Sequence, residues 1–194
     1  MYTNNPYAQW QQGNKSAFPS AGASVYGALP FSSSSSKPAI IAFYFDLNPT
    51  LFNCVVTGPD NKTLYTIATD SPSPGFTIMA DAHGKALVVV EWQSHPIVEV
   101  RGVVQKQHAA RFLALSSDKN ARHMEFRGKR YTWAPGTHAL CLFNSAVNPP
   151  ELLAQVTSGS RRIVMEMSSY AIQAGLTEVC VLSTFLLLCG RNID

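Results

Sequence analysis

The feature that most constrains the fold lies near the end of the chain. Residues 176–190 are almost uniformly apolar, and Glu178 is their single charge. A helix that is apolar on all sides must be hidden from water. At about 1.5 Å per residue it would be about 21 Å long, short of the ~30 Å hydrocarbon core of a bilayer. We therefore expect a helix buried in the protein, with Thr177 as N-cap and Gly190 just past its end.

The residues before this segment form a series of strand-length runs. From residue 38 onward, β-branched and aromatic residues alternate with turn signals, which is typical of strands. About twelve strands are predicted, at 40–45, 51–57, 63–70, 76–80, 86–92, 97–101, 111–115, 123–127, 130–133, 138–144, 151–157 and 161–167. Residues 58–62, 81–85 and 128–129 have the composition of hairpin turns and predict antiparallel, up-and-down order. Residues 168–175 fit no single state.

Only a few arrangements of many short strands and one apolar helix bury the whole helix. The expected fold class is all-β with one buried helix: a closed antiparallel barrel of about twelve strands around the helix of residues 176–190, which leaves no sheet edge unpaired. The alternative is a sandwich with the helix laid on one side, which would leave part of the helix exposed.

Residues 1–37 differ in composition from the rest. Asn, Gln, Ser, Gly and Pro are interleaved with aromatic residues, and only Lys15 and Lys37 are charged. Such a segment buries too little apolar area to offset its ordering entropy, so we expect a disordered low-complexity tail followed by one domain at 38–194.

The charge distribution predicts a basic side. The formal net charge is +3, but residues 101–130 hold eight basic residues against Asp118 and Glu125. Between residues 38 and 100, Lys62 and Lys85 face six acidic residues.

The four cysteines, Cys54, Cys141, Cys180 and Cys189, show no metal-ligand spacing. Buried free thiols are therefore expected, with disulfide and metal roles as the alternatives. The chain starts with no signal-peptide pattern, which predicts a cytoplasmic location, with peripheral contact at membranes as an option.

Three segments carry a resemblance to a known family. They are Val90-Glu91-Trp92 with His95-Pro96, residues 128–133, and residues 182–190. In these the chain resembles a fungal family of unknown function in the tubby C-terminal-like superfamily, which includes tubby, the phospholipid scramblases and the plant LURP-one-related proteins. The resemblance covers residues 38–194 and implies a barrel around a central helix. Members bind phosphoinositides, move lipids or have no assigned activity, and no binding residue can be transferred by alignment.

Basic residues near predicted hairpins are the candidate binding site. Arginine and lysine offer charge-assisted donors to phosphate oxygens. The candidates for an anionic ligand are Arg101, Arg122, Arg127, Lys129 and Arg130. The alternative is that these are ordinary solvated charges that keep the protein soluble. Alternation places Tyr131 and Trp133 on one face, where packing in the core is expected.

No pattern in the sequence calls for an enzyme. The five histidines are scattered without metal-ligand spacing, and no nucleophile elbow or glycine-rich phosphate loop occurs. We expect no catalytic residues, metal or cofactor.

The leading hypothesis is a non-enzymatic intracellular binding or scaffold module that recognises phosphorylated lipid or another anionic ligand through its basic face. The alternative is a structural protein in which the barrel presents residues 1–37 for self-association or for a protein partner. Weak nucleic-acid binding is the third hypothesis. It is suggested by the basic and aromatic residues that adjoin at 127–133.

Overall fold

The protein is built around one large antiparallel sheet. The computed structural model describes residues 38–69 and 75–194. Within these residues thirteen strands form a single sheet in the order β7-β6-β5-β4-β3-β2-β1-β13-β12-β11-β10-β9-β8. The predicted tail at 1–37, and the last residue of the strand predicted at 63–70, lie outside the described residues.

The described residues form seven strands, a short helix, six more strands and two final helices. The strands are β1 (Ile40–Leu47), β2 (Cys54–Thr57), β3 (Thr63–Thr69), β4 (Phe76–Asp81), β5 (Ala86–Glu91), β6 (Ile97–Val100), β7 (Val104–His108), β8 (Ala114–Leu115), β9 (Arg122–Phe126), β10 (Lys129–Pro135), β11 (Leu140–Asn144), β12 (Glu151–Ser158) and β13 (Arg162–Ser168). The helices are α1 (Ala109–Phe112), α2 (Ser169–Gln173) and α3 (Thr177–Leu188).

Strands that follow one another in sequence pair with each other, except β7 and β8, and one further pairing joins the first strand to the last. Phe43 of β1 lies opposite Met165 of β13 in this antiparallel ladder. The hydrogen-bonded order ends at β7 on one side and β8 on the other. The short helix α1 connects these two edge strands and packs against both. The all-β antiparallel prediction is confirmed, whereas the predicted closed barrel is not, because α1 stands between the two edges.

Because the strands are antiparallel, the turns collect at two ends of the sheet. One end, which we call the α2 end, carries α2 and the turns after β2, β4, β6, β9 and β11. The other, the Arg191 end, carries α1, the turns after β1, β5, β8, β10 and β12, and the C-terminal end of α3. A side chain near a strand terminus can therefore be assigned to one end.

The inner face of the sheet and the helix α3 form one core. Alternate residues along the strands are buried, as with Cys54 and Val56 on either side of the partly buried Val55, and with the buried pair Val88 and Val90. In α3 the eight consecutive residues from Val179 to Leu186 are all buried. The predicted buried helix is confirmed, and a helix lying on the outside of a sandwich is wrong.

Strands from both halves of the sheet contact α3. Val181, Leu182 and Phe185 border a residual void of only about 10 Å³ together with side chains of β3, β4 and β5. On other sides, Ser183 Oγ lies 3.6 Å from Met124 Sδ of β9, and Thr184 Oγ1 lies 3.6 Å from Met165 Sδ of β13. Since strands from opposite halves of the sheet contact it, α3 is enclosed by the sheet.

Polar groups on α3 are satisfied inside this core. Ser183 Oγ donates to the carbonyl of Val179 at 2.7 Å, within the helix. Near the start of α3, Tyr65 of β3 donates its hydroxyl to Glu178 Oε1 at 3.3 Å. Burial and the Glu178 carboxylate both raise the pKa of Tyr65.

An aromatic cluster ends the core at the Arg191 end. Phe185 meets Phe52 and Trp92 with ring centroids 5.6 Å and 6.0 Å away. The Arg191 guanidinium lies 4.6 Å from the Phe52 ring and 4.5 Å from the Trp92 ring. Gly190 has φ +74°, the left-handed conformation predicted for the residue that follows the helix.

Several local predictions need correction. Strand β7 was not predicted, since its pattern of one buried residue followed by exposed polar ones does not alternate. The strand predicted at 111–115 is wrong in its first half, which is α1, and only Ala114–Leu115 pair as a strand. Leu176, not Thr177, is the N-cap of α3. The ambiguous residues 168–175 contain α2, which Ser168 caps by accepting from Ala171 N at 3.2 Å.

The predicted hairpin turns at 58–62 and 81–85 are confirmed by backbone hydrogen bonds from Gly58 N to Lys62 O and from Asp81 N to Lys85 O. The third turn shifts by one residue. Its two central residues are Arg127 and Gly128, because Phe126 pairs with Lys129.

The cysteines are free, and Cys54, Cys141 and Cys180 are buried as predicted, while Cys189 is partly buried. Burial raises the pKa of all four thiols, to about 12 for Cys54. The thiolate form that reacts with oxidants is therefore suppressed in the folded protein.

The packing of α3 predicts a large effect of cavity formation. Leu182→Ala is expected to lower the free energy of unfolding by about 2–5 kcal/mol, because the enclosed site cannot collapse. Leu152→Ala makes the same chemical change at a side chain that is 47% exposed, and it should cost less than about 0.5 kcal/mol. Urea unfolding followed by circular dichroism measures both. Equal losses in the two variants would contradict an enclosed helix.

The burial of the thiols predicts their reactivity. With Ellman's reagent at mildly alkaline pH, Cys189 should react slowly in the native protein, and the other three thiols only on unfolding. Cys189→Ser should remove the slow native phase and leave the rest unchanged. Fast reaction of Cys54 or Cys180 in native buffer would disagree with the core described above.

Candidate functional site

The structure separates the five predicted basic residues between the two ends of the sheet. Arg127, Lys129 and Arg130 lie on the β9–β10 hairpin at the α2 end. Arg101 lies in the turn after β6, which is at the same end. Arg122 begins β9 and is therefore at the Arg191 end. Four of the five candidates thus share one end of the sheet.

The turn between β9 and β10 holds Arg127 in a defined place. Arg127 has φ +49° and Gly128 has φ +71°, and two successive positive φ values suit the twist of a two-residue hairpin. The Arg127 guanidinium lies 5.1 Å from the Phe126 ring centroid. Its Nη1 also donates to the carbonyl of Ala174 at 3.5 Å, which connects the hairpin to the segment between α2 and α3.

The basic side chains at the α2 end are exposed and have no acidic partner. Arg101, Arg127, Lys129 and Arg130 are all exposed. The ion pairs among residues 38–69 and 75–194 join Lys106 to Glu91, Arg122 to Asp194 and Arg162 to Asp46. None of these three pairs includes a basic residue at the α2 end, where Lys62 and Lys85 are exposed as well, so the four candidate charges there remain available to an external anion.

Acidic groups at the α2 end are partly engaged within their own turns. Asp81 Oδ1 accepts from the backbone N–H groups of His83 and Lys85, each at 2.9 Å. The bond from Lys85 N is the main cause that lowers the pKa of Asp81. Glu178 accepts from the Tyr65 hydroxyl, as described above.

Exposed apolar side chains collect at the same end as the unpaired basic ones. Eight large hydrophobic side chains are exposed in the described residues, and five of them lie at the α2 end. These are Ile40, Val103, Val147, Leu152 and Tyr170. Val103 follows Arg101 in one turn, and Tyr170 lies on α2 close to the Ala174 carbonyl that Arg127 contacts. The sequence patterns did not reveal this grouping, because it depends on which end each turn occupies.

A polar chain runs across the outer face next to Arg130. Ser145 Oγ and Thr132 Oγ1 lie 2.5 Å apart, and His123 Nδ1 lies 3.1 Å from Thr132 Oγ1. Burial and the charge of Arg130 lower the pKa of His123. Thr132 is buried and separates the exposed Ser145 from the imidazole. The trio therefore ties the turn after β11 to β10 and does not form a nucleophile and base in contact.

Other candidate chemistry is sparse in the part of the chain that the structure describes. No three side chains of His, Cys, Asp or Glu come together there in a way that could hold a metal ion. The Glu91 carboxylate accepts a hydrogen bond from Lys106. Within the same ranges, none of the helices combines the length and apolar character needed to cross a bilayer.

Comparisons with known proteins place the chain in a family without an assigned activity. No curated protein matches the sequence. An X-ray structure of a protein from Arabidopsis thaliana is similar, with 14% sequence identity and a TM-score of 0.42 over 73% of this chain and 90% of the plant chain. A family model described as a family of unknown function (DUF6593) matches residues 48–190, and the chain therefore belongs to that family.

Proposed function

We propose that this protein is a non-enzymatic binding module whose α2 end docks on an anionic membrane surface that carries phosphorylated lipid. The observation that carries the proposal is the coincidence, at one end of the sheet, of exposed basic residues outside the ion pairs, among them the four candidates, and five exposed apolar residues. Either group alone would be ordinary surface, but a peripheral membrane protein needs both together.

The basic residues supply attraction and head-group recognition. Each basic side chain close to an anionic leaflet contributes about 1 kcal/mol. Arg127 and Arg130 can each form two parallel hydrogen bonds to a phosphate group, which a lysine cannot do. Lys129 lies between them in sequence and offers a third cation. Because the Arg127 guanidinium rests against Phe126 and the Ala174 carbonyl, less rotamer freedom is lost when it binds.

The exposed apolar residues supply the second component. Val103 and Val147 occupy turns, and Tyr170 lies on the short helix α2, so all three project from elements at the end of the sheet. Tyrosine suits the region between water and the acyl chains, because its ring is apolar and its hydroxyl is polar. A surface of this kind would enter the head-group region without crossing the bilayer.

The family resemblance supports the proposal at the level of the fold. A sheet wrapped around an apolar helix, with α1 between its edge strands, suits a tubby-like architecture, and relatives of that architecture bind phosphoinositides. The cytoplasmic leaflet, which is rich in anionic lipid, is the surface that this proposal requires.

Charge reversal on the hairpin tests the electrostatic component. The triple variant Arg127→Glu, Lys129→Glu and Arg130→Glu should bind vesicles of phosphatidylcholine with phosphatidylinositol bisphosphate at least about a hundredfold more weakly, since removal of three charges costs about 3 kcal/mol. Co-sedimentation with these vesicles, and with phosphatidylcholine alone, measures the loss.

The matched control reverses three exposed basic residues at the other end, with Arg111→Glu, Lys119→Glu and Arg161→Glu. It makes the same change in net charge and should retain most of the binding. Equal loss in both triples would show attraction to the whole molecule without a binding end. Absence of binding by the unaltered protein would reject the function and favour the self-association alternative.

Removal of an exposed ring tests the apolar component. Tyr170→Ala should weaken vesicle binding about tenfold, as expected for one partly inserted aromatic side chain. Phe76→Ala removes a ring that is 45% exposed at the Arg191 end, and this control should leave binding unchanged. Vesicle titration at high salt, where the electrostatic component is screened, should make the Tyr170 effect more prominent. Identical affinities for the two variants would contradict insertion at the α2 end.

A further inference from the structure

A groove at the Arg191 end has features that the proposed membrane function does not use. It has a volume of about 180 Å³ and lies between the end of α3 and strands β8 to β11. One wall is apolar and includes Leu115, Leu140 and Leu187, while Lys119, Arg122 and Trp133 line the rest. Leu115 is 39% exposed, which leaves the groove open to solvent.

Arg122, which lines this groove, already binds a carboxylate. Its Nη1 donates to Asp194 Oδ1 at 2.9 Å and its Nη2 to Asp194 Oδ2 at 2.7 Å, which is a two-point contact. Nη1 also donates to the carbonyl of Leu113 at 2.9 Å, so the guanidinium plane is fixed from the protein side. The Arg122 side chain is 16% exposed, so the protein covers most of it and holds the guanidinium in place.

Trp133 adds an unsatisfied donor. It is 1% exposed and lies directly opposite Arg122 in the β9–β10 ladder. Its Nε1 is buried and has no acceptor within hydrogen-bond distance in the described part of the chain. A buried N–H without a partner costs free energy, and because the Trp133 side chain borders the groove, an oxygen supplied by a ligand would lower that cost.

The Asp194 side chain can dissociate from Arg122. Asp194 is 44% exposed, and its carboxylate is the partner of Arg122 in an ion pair open to water. Hydrogen bonds from Arg122 lower the pKa of Asp194, so the carboxylate is ionised near neutral pH. Exposed pairs of this kind are worth little net free energy, so an external carboxylate can compete for the same donors.

We propose that this groove binds a small organic carboxylate, whose carboxylate takes the place of the Asp194 side chain on Arg122 while its apolar body lies on Leu115, Leu140 and Leu187. A ligand oxygen accepts from the Trp133 indole N–H. Asp194 is then a built-in competitor that occupies the site when no ligand is present. The inference is independent of the membrane proposal, because the groove and the α2 end lie at opposite ends of the sheet.

Titration of the full chain with hexanoate, followed by the indole N–H signals in a ¹H–¹⁵N NMR spectrum, tests the proposal. Trp133→Phe assigns the signal, and the indole signals of Trp10 and Trp92 serve as internal controls. Hexanoate should shift the Trp133 signal saturably. Hexanamide, which lacks the charge, and acetate and inorganic phosphate, which lack the apolar body, should each bind at least tenfold more weakly.

Two variants separate the role of Asp194, which competes with the ligand, from that of Arg122, which binds the carboxylate. Asp194→Asn should tighten hexanoate binding several-fold, because the internal competitor loses its charge. Arg122→Lys should weaken it about tenfold, since the two-point contact is lost. If the Arg122 variant does not fold, Leu115→Ser at the exposed rim takes its place and should also weaken binding.

Equal affinity for hexanoate and hexanamide, unchanged affinity in Asp194→Asn, or shifts confined to Trp10 and Trp92 would each overturn the proposal. None of these results depends on vesicle binding, so failure here and failure of the membrane proposal can be distinguished.

Discussion

The enclosure of α3 is the constraint on which the rest of the structure depends. Eight consecutive buried residues leave the helix no face for water, so the sheet has to pass around it and cannot lie flat against one side. That requirement sets the alternation of inward apolar residues in strands as distant in sequence as β3 and β13. The antiparallel order of the strands divides the turns between two ends, and the two candidate sites follow from this division.

Much of the fold could be predicted from local patterns, because buried strands and an all-apolar helix have strong periodic signals. The failures have physical causes. Strand β7 is an edge strand with Gln105, Lys106 and Gln107 on or near its surface, so no apolar alternation marks it. The segment at 111–115 has strand-like composition, but the chain must pass from one edge of the sheet to the other there, and a short helix makes that connection.

The candidate site was predictable only in part. The charges at 127–130 adjoin in sequence, so one hairpin necessarily brings them together. Arg122 precedes them by one strand, and five residues of strand span about 16 Å, which separates it from the hairpin turn. The exposed Val147 and Tyr170 and the orphaned indole of Trp133 depend on the register of distant strands, and no local pattern encodes them.

The two edge strands of the sheet are connected through α1, and this connection differs from those between the other neighbouring strands. Backbone hydrogen bonds hold neighbouring strands together everywhere else in the ladder order, while at this joint the described residues are held by packing around Ala109 and Phe112. Packing contacts are broken more readily than a ladder that must open along its whole length. We therefore expect the border between β7 and β8 to be less tightly held than the hydrogen-bonded ladders in the rest of the wall around the central helix.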